Sequence, residues 1–498
     1  MEITSLLFAG FVVLACLGYR HLPQRLRPAW LLLCSAVFLL SWSWKFLAIL
    51  VGLALINFFI GWMVVPHARL GKVLLGVGIG FNLAALLIFK YSNFYLPALA
   101  SLLAKAGLGR SAGGLEILAP LGLSFIVVQM ISYQVDLANG RYPSERKFVT
   151  FALYVTYFPK LLAGPIEREQ IFRSRLENPQ KWTRELDLRS FALVVVGLIR
   201  KLVIADTLSA MIPTDAFQKP AQYPAPLLAI WLVVYAFSLY NDFAGYSSLV
   251  RGISGFFGIE LTNNFNIPYF ARSFSEFWSR WHISLSNWLR DYIFFPISRL
   301  IRKKISFKPT TVALILAPLI TMLVSGMWHG LAWNTLLWGG LQGCYLIAGQ
   351  IATLRKPSLP LNQLSRPRQV LSAMVVFFCI LMAWVPFHTN VAAAFQYWHS
   401  LFSIENWRVS IYLSYFKPTI VNLKLPPWQI VLFCLIPALQ AAIVLIPALV
   451  IDWTQYREEL RFLRWPAWLL GFLLAIVVLV LFLLSFAEKG APFIYQSF

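Results

Sequence analysis

Charge is scarce in this chain. Only 12% of its 498 residues are Asp, Glu, Lys or Arg, and acidic residues number 20 against 42 basic ones. Soluble globular domains carry about 25% charged residues, so this balance excludes an ordinary soluble domain. Cysteine is scarce too. Cys16, Cys34, Cys344, Cys379 and Cys434 stand singly in apolar runs, with no CxxC pair and no Cys/His ligand spacing. That pattern argues against a disulfide framework and against a metal site. No long internal repeat and no soluble appended segment interrupts the chain, which reads as a single membrane domain over residues 1–498. The first apolar run, Leu6 to Gly18, lacks a basic leader and a small-residue cleavage pattern, so it reads as a retained helix rather than a signal peptide.

Apolar sequence is abundant, at 59% of residues. Runs near residues 4–20, 30–43, 46–64, 71–90, 92–106, 117–137, 190–206, 227–249, 310–328, 332–353, 370–388, 428–452 and 466–487 approach the length a bilayer requires. The expected fold is an all-α polytopic membrane protein of about 11–14 membrane helices, with re-entrant or interfacial helices around a central funnel. The net charge of +22 lies in short loops. Orientation and anionic headgroups explain it there better than nucleic acid does. Arg20, Arg25 and Arg27 mark the first loop as cytoplasmic, and Arg457, Arg461 and Arg464 mark the last, which puts both ends of the chain outside. Glu167 to Arg189 is expected at the cytoplasmic surface as amphipathic helix and loop, and residues 400–427 as an outer connection.

The stretch from Asn264 to Leu300 breaks the apolar pattern with Trp, Phe, Arg and Ser. At helical spacing Trp278, Trp281, Leu285 and Leu289 form one stripe, while Glu276–Arg280 and Asn287–Asp291 are i,i+4 pairs. Such a segment fits an interfacial or re-entrant helix lining a water-filled funnel, which His282, beside the stripe, can face. A second histidine, His329, stands in Ser325-Gly326-Met327-Trp328-His329-Gly330, between two apolar runs. Ionisable groups at membrane depth are costly and mark functional sites by default, and a neutral imidazole can take a proton from an alcohol near neutral pH. Asp242 and Asp136 read either as channel-lining charges or as structural partners of nearby arginines. His21, His67, His388 and His399 have no supporting motif.

Several motifs together resemble the membrane-bound O-acyltransferase family, in its bacterial branch that acylates surface polysaccharides. They are Phe274 to Tyr292, Gly326 to Gly330, Leu162-Ala163-Gly164-Pro165-Ile166, Arg200 to Asp206, Asp242 to Ser247 and Asn264 to Tyr269. The two histidine motifs, 47 residues apart, are the specific signal. The similarity covers residues 5–350, leaves 351–490 as additional C-terminal helices, and returns in the aromatic tail 491–498. Ser248, Arg251 and the Ile293 to Arg299 turn depart from the alginate-type pattern, which leaves the polymer open. The resemblance implies transfer of a short acyl group, acetyl by analogy, from a cytoplasmic thioester towards a surface polysaccharide. The donor would be acetyl-CoA or an acyl carrier protein, with no resident cofactor or metal. His329 would be the general base and His282 a second catalytic residue, lying in the cytoplasmic funnel and positioning the donor or supporting the developing charge. Trp278, Arg280, Trp281, Asn287, Trp328 and Asp242 would be funnel or donor-binding candidates. Tyr495 would be a relay to an exported acyltransferase partner outside a bacterial cytoplasmic membrane. A transporter or export channel for a polysaccharide, and a lipid-acylating relative, remain the alternatives.

Overall fold

The computed structural model describes residues 1–105, 120–355, 365–423 and 427–457, together with Trp468, Leu469, Phe472 and Ala475. All regular structure among them is helical. Tyr495 and nearly all of the run at 466–487 lie outside the described residues. Two compact units are distinguished, Met1–Val194 with Tyr246–Asn263, and Val195–Gly245 with Asn264–Phe498.

Six helices among the described residues are long and apolar enough to cross a membrane: Trp44–Met63, Arg69–Phe89, Ala225–Gly255, Pro309–His329, Arg366–His388 and Leu435–Thr454. Leu6–His21 and Leu123–Ala138 are shorter apolar helices. The expected count of about 11–14 also included runs that fold as shorter helices, some of which end before a bilayer core is spanned.

The first unit contains α1 (Leu6–His21), α2 (Arg27–Leu40), α3 (Trp44–Met63), α4 (Arg69–Phe89), α5 (Ser92–Lys105), α6 (Leu123–Ala138), α7 (Phe148–Thr156) and α8 (Glu169–Glu177). α9 (Arg184–Leu198) begins in it. Apolar packing alone does not tell one membrane helix from another, because lipid is equally apolar; buried amides can. Asn82 Nδ2 donates to Asn57 Oδ1 at 2.7 Å and Gln134 Nε2 donates to the same oxygen at 2.6 Å, which ties α3, α4 and α6. The Leu162 to Ile166 motif is a turn, its Gly164 N–H donating to Lys160 O at 2.9 Å. A Cβ at Gly164 would sit 2.4 Å from Lys160 Cα, so only glycine fits there. Asp136 accepts from Arg141 at 2.7 Å, the structural alternative offered by the sequence.

The second unit contains α10 (Asp206–Ala210), most of α11 (Ala225–Gly255), α12 (Phe274–Arg280), α13 (Ile283–Leu289), α14 (Phe295–Lys304) and α15 (Pro309–His329). It continues through α16 (Trp333–Arg355), α17 (Arg366–His388), α18 (Val391–Phe402), α19 (Val409–Leu423) and α20 (Pro427–Arg457). The connection expected at 400–427 carries a helix, α19. Two π-helical turns occur in this unit, Ile199–Ala205 and Arg290–Phe294. On the first, buried Arg200 meets Asp452 of α20 at 2.5 Å and donates to Asn241 at 2.7 Å. Tyr240 donates to the same Asp452 at 2.8 Å.

Candidate active site

The site is built on a broken helix and the end of a continuous one. Ser273 starts α12 by accepting the Glu276 N–H at 3.1 Å, a Ser-x-x-Glu signature. Glu276 in turn accepts from Arg280 at 2.6 Å and from Arg272 at 3.1 Å, so the expected Glu276–Arg280 pair forms and involves a second arginine. With both guanidiniums and backbone N–H donation around it, the Glu276 carboxyl is held below its usual range despite partial burial.

The single helix expected from Trp278 to Leu289 is corrected to two. α12 ends at Arg280, Trp281 is extended, and His282 adopts φ 42°, ψ 54°, a left-handed conformation uncommon outside glycine. A segment from Asn264 straps the break. Ile283 N–H donates to Asn264 O at 3.0 Å, Ser284 N–H to Asn264 Oδ1 at 3.2 Å, and Asn266 N–H to Arg280 O at 3.0 Å. Ile267 on the same strap is left-handed as well, at φ 48°. Two such residues cost about 1–3 kcal/mol each and persist only where the surroundings over-determine them, which is commonest at functional sites. The stripe residues Trp278, Trp281, Leu285 and Leu289 are all buried, so the expected apolar character holds without the expected continuity. The expected Asn287–Asp291 pair gives way to Arg290–Asp291 at 3.1 Å, because the π-turn from Arg290 shifts Asp291 out of i,i+4 register.

α15 delivers His329 as its last residue. Gly326 lets α16 approach, since a Cβ there would lie 2.3 Å from Thr335 O. Gly339 does the same in return, 2.4 Å from Met322 O, making a small-residue contact typical of membrane helices. Among the described residues, rings pack on His329 from Trp328 at 4.9 Å, Trp338 at 5.2 Å and Phe387 at 5.3 Å between centroids. His282 contacts Phe243 at 4.7 Å and the same Trp328 at 6.2 Å. The two histidines are thus brought onto one indole. Burial pushes the His282 imidazole down to about 3, so it is neutral at physiological pH.

Of the other sequence candidates, Trp278 meets Trp338 at 6.0 Å and Trp281 packs on Trp384 at 5.0 Å. Arg280 is engaged by Glu276, and Asn287 is half-buried on α13. Asp242, just before the His282 neighbour Phe243, pairs with Lys201 at 2.7 Å, a structural partnership. His282 and His329 are 1% and 4% exposed, so both rings are enclosed by packed side chains.

Four polar residues on α15, α16 and α17 escaped the sequence reading. Ser325 Oγ, Trp338 Nε1, Trp384 Nε1 and both amide atoms of Gln342 are buried without a hydrogen-bond partner among the described residues. Ser325 precedes His329 by one helical turn, and Gln342 follows Trp338 by one turn on α16. Each unsatisfied group costs about 1–3 kcal/mol, so such groups on the helices that carry His329 and its ring neighbour Trp338 fit a substrate or water site. The signal in the sequence was Ser325 and Gln342 inside otherwise apolar runs.

Comparison with known proteins identifies the family. The sequence profile of the family described as MBOAT, membrane-bound O-acyltransferase family, matches residues 31–391. A protein of Pseudomonas putida named "Probable alginate O-acetylase AlgI" is 34% identical over 418 residues, 82% of each chain. Its namesake from Azotobacter vinelandii is 32% identical, covering 82% of this chain and 80% of that one. The "Peptidoglycan O-acetyltransferase" of Helicobacter pylori is 29% identical over 417 residues, 77% of this chain and 74% of its own.

Proposed function

Because the chain belongs to the membrane-bound O-acyltransferase family and is a multi-pass membrane O-acyltransferase, we propose that it moves an acetyl group from a cytoplasmic thioester to a hydroxyl bound for a cell-surface polysaccharide, with His329 as the base. The hydroxyl oxygen attacks the thioester carbonyl while the His329 imidazole removes its proton. The C–O bond forms, the C–S bond breaks, and the proton goes to the departing thiolate. Base catalysis of this kind contributes about 10²–10⁴-fold. Ser325, Trp338 and Gln342 supply the polar groups available to the carbonyl and the acceptor.

The observation that carries the reading is the shared indole. Trp328 touches both histidines of the two motifs, which supports reading residues 47 positions apart as one site. Acetyl is favoured by the names of the alginate and peptidoglycan relatives. The basic loops suit either acetyl-CoA or an acidic carrier protein as donor. Substrate access to a ring 4% exposed requires Trp328 or Phe387 to move aside. Both chain ends lie outside a bacterial inner membrane in this reading, and Tyr495 accepts the acyl group there for an exported partner enzyme. Deleting residues 493–498 removes the Tyr495 hydroxyl and with it polymer acylation; unchanged acylation would reject the relay.

The test is mass spectrometry of surface polymers from cells carrying the wild-type chain or His329→Ala, with polymer export measured alongside. Lost acylation with unchanged export is expected. Lost export with intact acylation would make the protein a transporter instead.

A further inference from the structure

The first unit holds an open groove of about 710 Å³, remote in sequence from both histidine motifs and formed by the end of α1, the start of α9 and Phe256. Its volume falls within the range of small-ligand sites, about 300–1,000 Å³. One wall is apolar, with Val13, Leu17, Leu188 and Phe191 each about half exposed. The other end is cationic. Arg20 and Arg184 line it against a single carboxylate, Asp187, which pairs with Arg20. Trp182 forms the floor between them, with Arg20 above its ring at 5.5 Å and Arg27 at 4.5 Å. Two donors here, Trp182 Nε1 and Arg20 Nε, have no acceptor among the described residues.

This is an amphiphile's environment. Hydrocarbon-facing side chains run into a guanidinium cluster at the first basic loop, where an anionic group is attracted and a zwitterion gains little. We propose that the groove holds one anionic phospholipid, its phosphate at Arg20 and Arg184 and one acyl chain along Val13, Leu17, Leu188 and Phe191. A soluble anion would use the arginines and leave the apolar wall bare. The exposure of that wall on an apolar helix is what selects a lipid. Arg27 is held in place by stacking and contributes its field rather than a direct contact.

Native mass spectrometry of the full chain in detergent, with phosphatidylglycerol or phosphatidylcholine added, tests the site. The wild type should retain one phosphatidylglycerol in preference to phosphatidylcholine. Arg184→Gln removes an exposed charge and leaves the Arg20–Asp187 pair intact. It should lower phosphatidylglycerol occupancy about fivefold, the weight of one arginine at an anionic lipid surface. Leu17→Trp, which fills the groove from an exposed position, should remove the adduct while the melting temperature stays unchanged. Equal retention of the two lipids, or unchanged occupancy in both variants, would overturn the proposal. So would displacement of the lipid by millimolar inorganic phosphate, which would reduce the groove to a plain anion site.

Discussion

His329 and Trp338 meet edge to face, ring centroids 5.2 Å apart at 87°. The indole therefore fixes the imidazole through its ring and brings a buried N–H close to the proposed reaction centre. Trp338→Phe separates these roles. Acyl transfer should fall about tenfold or more with little change in melting, because an N–H donor is lost while a ring remains. Trp338→Ala should additionally cost about 3–5 kcal/mol of stability through the cavity it leaves. Thermal melting and acyl-transfer assays of the purified variants check both, and an unchanged rate in the Phe variant would confine Trp338 to packing.

His282 combines a left-handed backbone with a buried neutral ring. Glycine adopts that backbone without penalty, whereas alanine does not. His282→Gly should melt at or above His282→Ala, yet both should lose acyl transfer if the imidazole matters. Since His282 titrates at about 3, its protonation should contribute no limb to the pH–rate profile between pH 5 and 8. A loss of activity confined to the Ala variant would mean that only the turn counts.

Gly326 is the narrowest point beneath the proposed base. Gly326→Val must push Thr335 away from α15, because even a Cβ would lie 2.3 Å from its carbonyl. Overpacking of this sort costs about 1–3 kcal/mol. Acyl transfer should drop more than stability, since His329 lies one turn ahead. Wild-type kinetics in a Gly326→Val protein would show that the α15–α16 contact does not position the imidazole.

Glu169 on α8 offers a pH test away from the membrane spans. Burial raises its carboxyl to about 7, only partly offset by Arg173. Between the ordinary value near 4.5 and 7 the folded chain therefore holds a proton that the unfolded chain has lost, and stability falls as pH rises through that window. Glu169→Gln should flatten the melting temperature over pH 4.5–7 and raise it at pH 8. A pH profile identical to wild type would reject the shift.

Much of the fold was legible as apolar run length. The run at 310–328 became Pro309–His329 and the run at 370–388 became Arg366–His388, because bilayer length and helix rise leave little choice. The break at Trp281–His282 was not legible. The stripe Trp278, Trp281, Leu285 and Leu289 keeps helical spacing across it, and only hydrogen bonds from the distant Asn264 impose the turn. The Asp452 partnership with Arg200 was hidden for the same reason, since 252 residues separate them. Both histidines were visible as motifs, while two of the rings against His329, Trp338 and Phe387, come from α16 and α17, whose sequences read as ordinary spans.

The most direct measurement is acceptor-dependent cleavage of an acetyl thioester by the protein reconstituted in vesicles, comparing wild type with His329→Gln. If His329 removes the acceptor proton, the variant should remain folded and lose at least about 100-fold in rate, the lower end of base catalysis. A folded His329→Gln protein turning over within twofold of wild type would contradict the account.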